Sequence, residues 1–235
     1  MLSNLLPLVN DPNQGRWLYH PAIVKNFWPA VWETLEMTFV STALTVLIGL
    51  PLGLALVATS KGHLFASKTV NNVLAVIVNI GRSIPFLILA VAVMPLTRLL
   101  SGSTIGWKAT VIPLTIAAVP YFARLVETNV LGVDQGKIEA AQMMGASRMR
   151  ILLDVLVREA AGPLVQSITV LTVTIIGYGA MAGALGAGGL GQMAMNYGYN
   201  RWETDVMVVT TIAIVIIVQG VQMIGDMLSR RVDHR

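Results

Sequence analysis

Five stretches of the chain are almost free of charged residues. They cover residues 37–60, 69–100, 109–123, 160–200 and 206–225. A transmembrane helix needs about 20 mostly apolar residues, so the pattern predicts five spans. We place them at about residues 31–60, 69–100, 107–128, 162–183 and 204–228.

The second stretch is longer than one span needs, and it contains Arg82 and Pro85. Splitting it at Arg82 would leave two halves too short to cross a bilayer of about 30 Å. We therefore expect a single span in which proline bends the helix. This favours five spans over six.

Composition agrees with a membrane protein. Hydrophobic residues make up 55% of the 235 residues and charged residues only 12%, whereas soluble domains carry about 25% charged residues. The 21 glycines and 10 prolines are typical of closely packed transmembrane helices. The fold class predicted here is an all-α integral membrane protein.

Two further features of composition exclude other classes. The sequence contains no cysteine, so disulfides and thiolate metal sites are absent. The net charge is +4, but the basic residues are scattered at the ends of the spans. Nucleic-acid binding needs them gathered on one face, so we expect no nucleic-acid partner.

Basic residues also predict the orientation, because they are enriched in cytoplasmic loops. If the loop at 129–161 is cytoplasmic, the inner face holds ten basic residues and the outer face five. We expect an extracytoplasmic or interfacial extension at residues 1–27, a transmembrane domain at 28–228 and a cytoplasmic tail at 229–235. Residues 1–17 lack a basic start and make a poor signal peptide.

The loop at 129–161 is polar and rich in helix formers. Within it, Glu139, Ala140 and Ala141 are followed after three residues by Gly145. Small residues allow a partner to approach closely, the carboxylate can pair with a basic group, and glycine permits a sharp turn. The same residues would also suit an alanine-rich helix at the membrane interface that simply ends at a glycine.

The spacing Glu-Ala-Ala, three residues, then Gly resembles the cytoplasmic docking loop of ABC importer permeases. A closer resemblance is to the permease subunit of methionine ABC importers. It covers nearly the whole chain beyond the N-terminal extension. The stretches that carry it are VWETLEMTFVS (31–41), IGLPLG (48–53), VNIGRSIPF (78–86), EAAQMMGAS (139–147), GYGAMAGALGAGGLGQ (177–192), NYGY (196–199) and GD (225–226).

This resemblance implies a type I ABC importer permease fold with a cytoplasmic coupling helix. It implies a homodimer in the bacterial inner membrane, two ATP-binding cassette subunits, and an extracytoplasmic methionine-binding protein. ATP and Mg²⁺ would belong to the ATPase partners, and this chain would need no cofactor and catalyse nothing. The docking role is assigned to Glu139, Ala140, Ala141 and Gly145. The family's Ile-x-Leu-Pro is missing at 155–158, where the chain reads Val-Leu-Val-Arg.

Polar residues in two spans are candidates for lining the path of the solute. Hydroxyl and amide groups in a span can line a passage, or they can bond to their own helix and its neighbours. A charge at mid-bilayer costs about 2.5–3.5 kcal/mol or more, so an arginine there either lies near the headgroups or serves the pathway. The candidates are Gln166, Ser167, Thr169, Thr174, Tyr178 and Arg82.

Three other functions are compatible with parts of the sequence: dinucleotide binding, proton-coupled transport and import of a different solute. Residues 186–191 match the dinucleotide pattern G-x-G-x-x-G, but that site requires a preceding strand and a βαβ unit. We expect a tight turn packed against a helix instead. A proton-coupled transporter predicts acidic or histidine residues inside the five stretches, and they hold none. A permease for another amino acid, a dipeptide or an osmolyte remains open.

Overall fold

The computed structural model describes residues 15–232, and this part of the chain contains helices and no β-strand. The helices in chain order are α1 (Pro21–Thr59), α2 (Lys68–Ser83), α3 (Phe86–Ala92), α4 (Met94–Ser101), α5 (Trp107–Leu131), α6 (Gln135–Met143), α7 (residues 148–159), α8 (Ala161–Ala182), α9 (Gly189–Met193) and α10 (Thr204–Val232). The middle of α7, Ile151–Leu156, is π-helical, and a π-helical turn, Ala194–Tyr199, continues α9.

Both expected domain boundaries fall inside helices. Residues 21–27 belong to α1, with a short turn Trp17–Tyr19 before it, and α10 runs on into the expected tail. Most of the predicted extension, residues 1–14, and the last three residues of the tail lie outside the described part.

Four of the described helices are long and apolar enough to cross a membrane: α1, α5, α8 and α10. The bent pair α2 and α3 would form a fifth crossing. The all-helical fold predicted from the sequence is confirmed. The second span, however, is broken rather than a single helix over residues 69–100.

The break in the second span follows from proline. Ile84 is extended, with φ −84° and ψ 121°, and Pro85 stands immediately before α3. The residue before a proline is disfavoured in the helical conformation, and proline lacks the N–H that would continue the ladder. The axes of α2 and α3 consequently differ by 102°.

The core is centred on α5. Leu114, Ala118 and Phe122 are completely buried, and α1 crosses α5 at a glycine. A Cβ on Gly53 would lie 2.6 Å from the carbonyl oxygen of Ala123. Such glycine contacts let helix backbones approach in a membrane, where packing replaces the hydrophobic effect between helices.

The glycine-rich segment after α8 turns back and packs against α1. Gly188 and Gly189 have φ of +85° and +71°. The Glu33 carboxylate accepts a hydrogen bond from the Gly189 N–H at 2.7 Å, and the Thr34 hydroxyl accepts one from the Leu190 N–H at 2.9 Å. These two side chains cap α9. The segment is thus the tight turn expected, and residues 15–232 offer no strand for a dinucleotide site.

Candidate functional site

The helix that carries the Glu-Ala-Ala sequence, α6, is closed at both ends. The Asp134 carboxylate accepts a hydrogen bond from the Gly136 N–H at 2.7 Å and caps its start. At its end the N–H of Gly145 donates to the Gln142 carbonyl at 2.9 Å, and that of Ala146 to the Ala141 carbonyl at 3.0 Å. This pair of bonds is the Schellman motif, which needs a left-handed residue. Gly145 provides it, with φ +76°.

The outer face of α6 is open to contact. Glu139 and Ala140 are exposed, whereas Ile138 and Ala141 are half-buried and pack against the core. Within residues 15–232 the Glu139 carboxylate forms no ion pair. The four residues assigned to docking therefore lie together on one helix and its terminal turn.

Two methionines that follow the alanines extend this open face. Met143 and Met144 are 90% and 88% exposed. Their long, unbranched side chains adapt to the shape of a partner. Sequence reasoning did not include them in the site, although they lie inside the stretch EAAQMMG that identified it.

Polar contacts tie the loop to the spans. Lys137 of α6 forms an ion pair with Glu159, at the end of α7 and next to α8. The Asn129 side chain, at the end of α5, donates to the Ser167 hydroxyl at 2.6 Å. The Ser229 hydroxyl of α10 donates to the Gly162 carbonyl at 3.1 Å. A displacement of α6 would therefore reach α7 first, and α8 begins two positions after Glu159.

The chain lacks a proline at 155–158 but has one close by, at Pro163. α7 ends at Glu159 and α8 begins at Ala161, so Pro163 stands in the first turn of α8. Proline is tolerated in a first turn, because its missing N–H would have no helical partner there.

The pathway candidates separate into two groups and one outlier. Gln166, Thr169 and Thr174 line an open groove of about 430 Å³ between α8 and α10, together with Gln222 and Asp226. The threonine hydroxyls also donate to carbonyls of their own helix. Helices α8 and α10 touch closely there, because a Cβ on Gly225 would collide with Thr169.

Ser167 lies on another side of α8. It is 7% exposed and accepts the hydrogen bond from Asn129 of α5. Its hydroxyl is used between two packed helices and does not face the groove that its neighbours line, so its assignment to the pathway stays a prediction. Helical periodicity separates residues 166 and 167 by about 100° around the axis.

Tyr178 and Arg82 lie together at the break in the second span. Both line a small cavity of about 110 Å³ between α2, α3, α5 and α8. The ring of Tyr178 stacks on that of Phe86, with centroids 4.7 Å apart and planes within 1°. Phe86 and Tyr121 complete the aromatic wall. Sequence reasoning missed both, because a single aromatic residue in an apolar run resembles core.

The comparisons with known proteins agree with this architecture. Residues 36–235 match the family described as binding-protein-dependent transport system inner membrane component. The chain is 46% identical over 206 residues to the probable D-methionine transport system permease protein of Vibrio cholerae, covering 88% of this chain and 92% of that one. It is 44% identical over 218 residues to the methionine import system permease protein of Bacillus subtilis, covering 92% and 98%.

Among solved structures, an inward-facing MetNI methionine ABC transporter superposes with a TM-score of 0.87. The two chains are 44% identical, and the match covers 88% of this chain and 96% of that one. The fold and the sequence together define a permease subunit of an ABC transporter. This chain belongs to the family of binding-protein-dependent transport system inner membrane components.

Proposed function

We propose that this chain is the membrane-spanning subunit of an ATP-driven importer that moves methionine into the cytoplasm. Two copies pair in the inner membrane, an ATPase subunit docks on α6 of each copy, and an extracytoplasmic binding protein delivers the solute. Transport proceeds by alternating access. ATP and Mg²⁺ are bound by the ATPase subunits. This chain supplies the path of the solute and, in α6, the helix that receives the motion of the ATPase.

The observation that carries this proposal is the construction of α6. Its ends are fixed by a cap and a Schellman turn, and its inner side packs on the core. Its outer face carries Ala140 and Glu139, whose carboxylate forms no ion pair with any described residue. A fixed, exposed helix transmits motion to the spans better than a mobile loop would. The likeness to methionine permeases of Vibrio cholerae and Bacillus subtilis supports methionine as the solute.

The apolar surface of α10 supports pairing within the membrane. Its described side chains are largely open to the surroundings, with Val215, Ile216 and Met223 at 52%, 65% and 72% exposure. Apolar side chains that are exposed on a membrane-length helix contact lipid or another span. A second copy would cover part of this surface and enclose the grooves into one passage.

Uptake by the assembled transporter tests the solute. The chain is reconstituted in liposomes with its ATPase subunit and its binding protein, and ATP-driven entry of labelled L-methionine is measured. We expect saturable uptake that unlabelled methionine abolishes and that a tenfold excess of other amino acids, dipeptides or betaine leaves largely intact. If one of those compounds competed more strongly than methionine, that compound would be the transported solute. Uptake without ATP would exclude an ATP-driven importer.

A further inference from the structure

Arg82 is a charged residue for which the described part of the protein provides no counter-ion. It stands in the last turn of α2, inside a membrane-length apolar stretch, and it is exposed. Within residues 15–232 it forms neither an ion pair nor a side-chain hydrogen bond. By contrast, Arg124 on α5 is held by Glu127 and by the Asn79 side chain at 2.7 Å. A charge in such a place either reaches the headgroups or faces a cavity on the path of a solute or an ion.

The backbone beside Arg82 is also interrupted. The chain leaves the helical conformation at Ile84 and Pro85 and turns by 102°. Irregular backbone at membrane depth is tolerated where it is buried in protein or lines a cavity. Broken spans of this kind form the solute sites of many membrane transporters.

A cavity lies at this break. Its volume of about 110 Å³ is several times the roughly 10–15 Å³ that one water molecule needs. Close approach of α2 to α5 forms one side, because a Cβ on Gly81 would lie 2.6 Å from the ring of Pro120. The stacked rings of Phe86 and Tyr178 and the ring of Tyr121 form an aromatic part of the wall.

We propose that this cavity is a transient binding site for the amino-acid solute within the membrane domain. The Arg82 guanidinium binds the α-carboxylate, and the aromatic wall receives the thioether side chain. Guanidinium and carboxylate fit in a two-pronged, charge-assisted geometry, and sulfur makes favourable contacts with aromatic rings. The proposal rests on the function proposed above and adds the residues that hold the solute.

The chemistry of the lining makes this a weak site. No acidic side chain is among its lining residues, which are Gly81, Arg82, Ile84, Phe86, Ala117, Tyr121 and Tyr178. The ammonium group is therefore left to water and to the faces of the rings. A site on a transport path must release its solute, so one strong contact and one apolar contact suit it. The competing occupant is the phosphate of a lipid headgroup.

The test uses protection of a single cysteine, because the chain has none of its own. Ile84 lines the cavity and is 40% exposed, so the I84C variant reports on its occupancy. The variant is assembled with the ATPase subunits in nanodiscs of neutral lipid, without binding protein. The rate of labelling by a small polar maleimide is measured with L-methionine and with methioninol, which lacks the carboxylate. I105C, outside the cavity and 66% exposed, is the control for general effects.

We expect methionine to slow labelling of I84C at least fivefold, methioninol to leave it unchanged, and I105C to be indifferent to both. R82Q in the I84C background should remove the protection and R82K should keep part of it. R98Q, which changes an exposed arginine at the end of α4, should retain it in full. Co-purification of the ATPase subunits verifies that each variant is assembled.

Three results would overturn the site. Methionine could fail to protect I84C, or protection could persist in R82Q, as it would if solute acted through the ATPase subunit. Alternatively, anionic lipid could slow the labelling of I84C in an Arg82-dependent way while methionine has no effect. That result would show that Arg82 binds a lipid headgroup. Methionine uptake by the wild-type transporter in the same series separates this outcome from failure of the proposed function.

Discussion

At the scale of the residue, Gly145 shows how one backbone conformation can shape the surface proposed for docking. A Cβ placed there would meet no atom within 4 Å, so the position is restricted by its φ of +76° alone. An alanine in that conformation costs about 1–2 kcal/mol, and asparagine tolerates it better. This strain acts on the turn that ends α6 and orients its methionines.

We therefore predict that G145A weakens binding of the ATPase subunit by about 5- to 30-fold, which is that cost expressed as an affinity, and that G145N weakens it less. Binding is measured by titrating the labelled ATPase subunit onto the purified permease. G102A is the matched control, because Gly102 has φ +75°, also has open space at its Cβ, and ends α4 instead of α6. Equal losses in G145A and G102A would show that the α6 turn has no special part in docking.

At the scale of the element, the ion pair between Lys137 and Glu159 links α6, the helix proposed to dock, to the end of α7, two positions before α8 begins. The two side chains are 47% and 35% exposed, and pairs of that kind contribute only about 0–1 kcal/mol to stability. We predict that K137E and E159K each assemble normally but import less methionine per ATP hydrolysed. The double reversal K137E/E159K should restore the ratio.

Reversal of another surface pair is the control for this prediction. Arg150 and Asp154 form an ion pair of 3.9 Å, four residues apart on α7 alone. R150D and D154R change the charge by the same amount without altering the ion pair between α6 and the end of α7. A loss in these variants equal to that in K137E, or failure of the double reversal to restore transport, would refute the link.

The second span shows how much of the helical structure could be predicted from the sequence. Its length, Arg82 and Pro85 were all visible, and a bend was expected, yet the bend of 102° and the separate helices α3 and α4 were not. Proline indicates where a helix is disturbed, but neighbouring helices determine how far it turns. For the same reason, the pattern of hydroxyls on α8 did not distinguish Ser167, bonded to Asn129, from Thr169, which lines the groove.

At the scale of the whole molecule, contacts connect four of the described helices one after another: α6, α7, α8 and α10. Helix α6 is tied to the end of α7, α8 begins after one intervening residue, and α8 packs against α10 at Gly225. The groove and the cavity both border α8. Movement of this one span would alter both, which suits the proposed role as a subunit driven by a separate ATPase.

These contacts can pass motion from the ATPase to α8 only if α6 faces the cytoplasm. The last prediction therefore concerns the orientation of the chain in the membrane. Of the loops that the five crossings separate, those on the side of α6 carry twice as many basic residues, ten against five. The positive-inside rule therefore predicts a cytoplasmic α6. Single cysteines are introduced at three exposed positions in this cysteine-free chain: Ser103 before α5, Gln142 on α6, and Asn200 before α10.

We expect a membrane-impermeant maleimide to label S103C and N200C in intact cells and Q142C only after the membrane is opened. One crossing, α5, separates position 103 from 142, and another, α8, separates 142 from 200. The three positions therefore test the topology and the orientation together. Labelling of Q142C from outside would reverse the orientation and remove α6 from reach of an ATPase. Labelling of S103C and Q142C from one side would instead show that α5 does not cross.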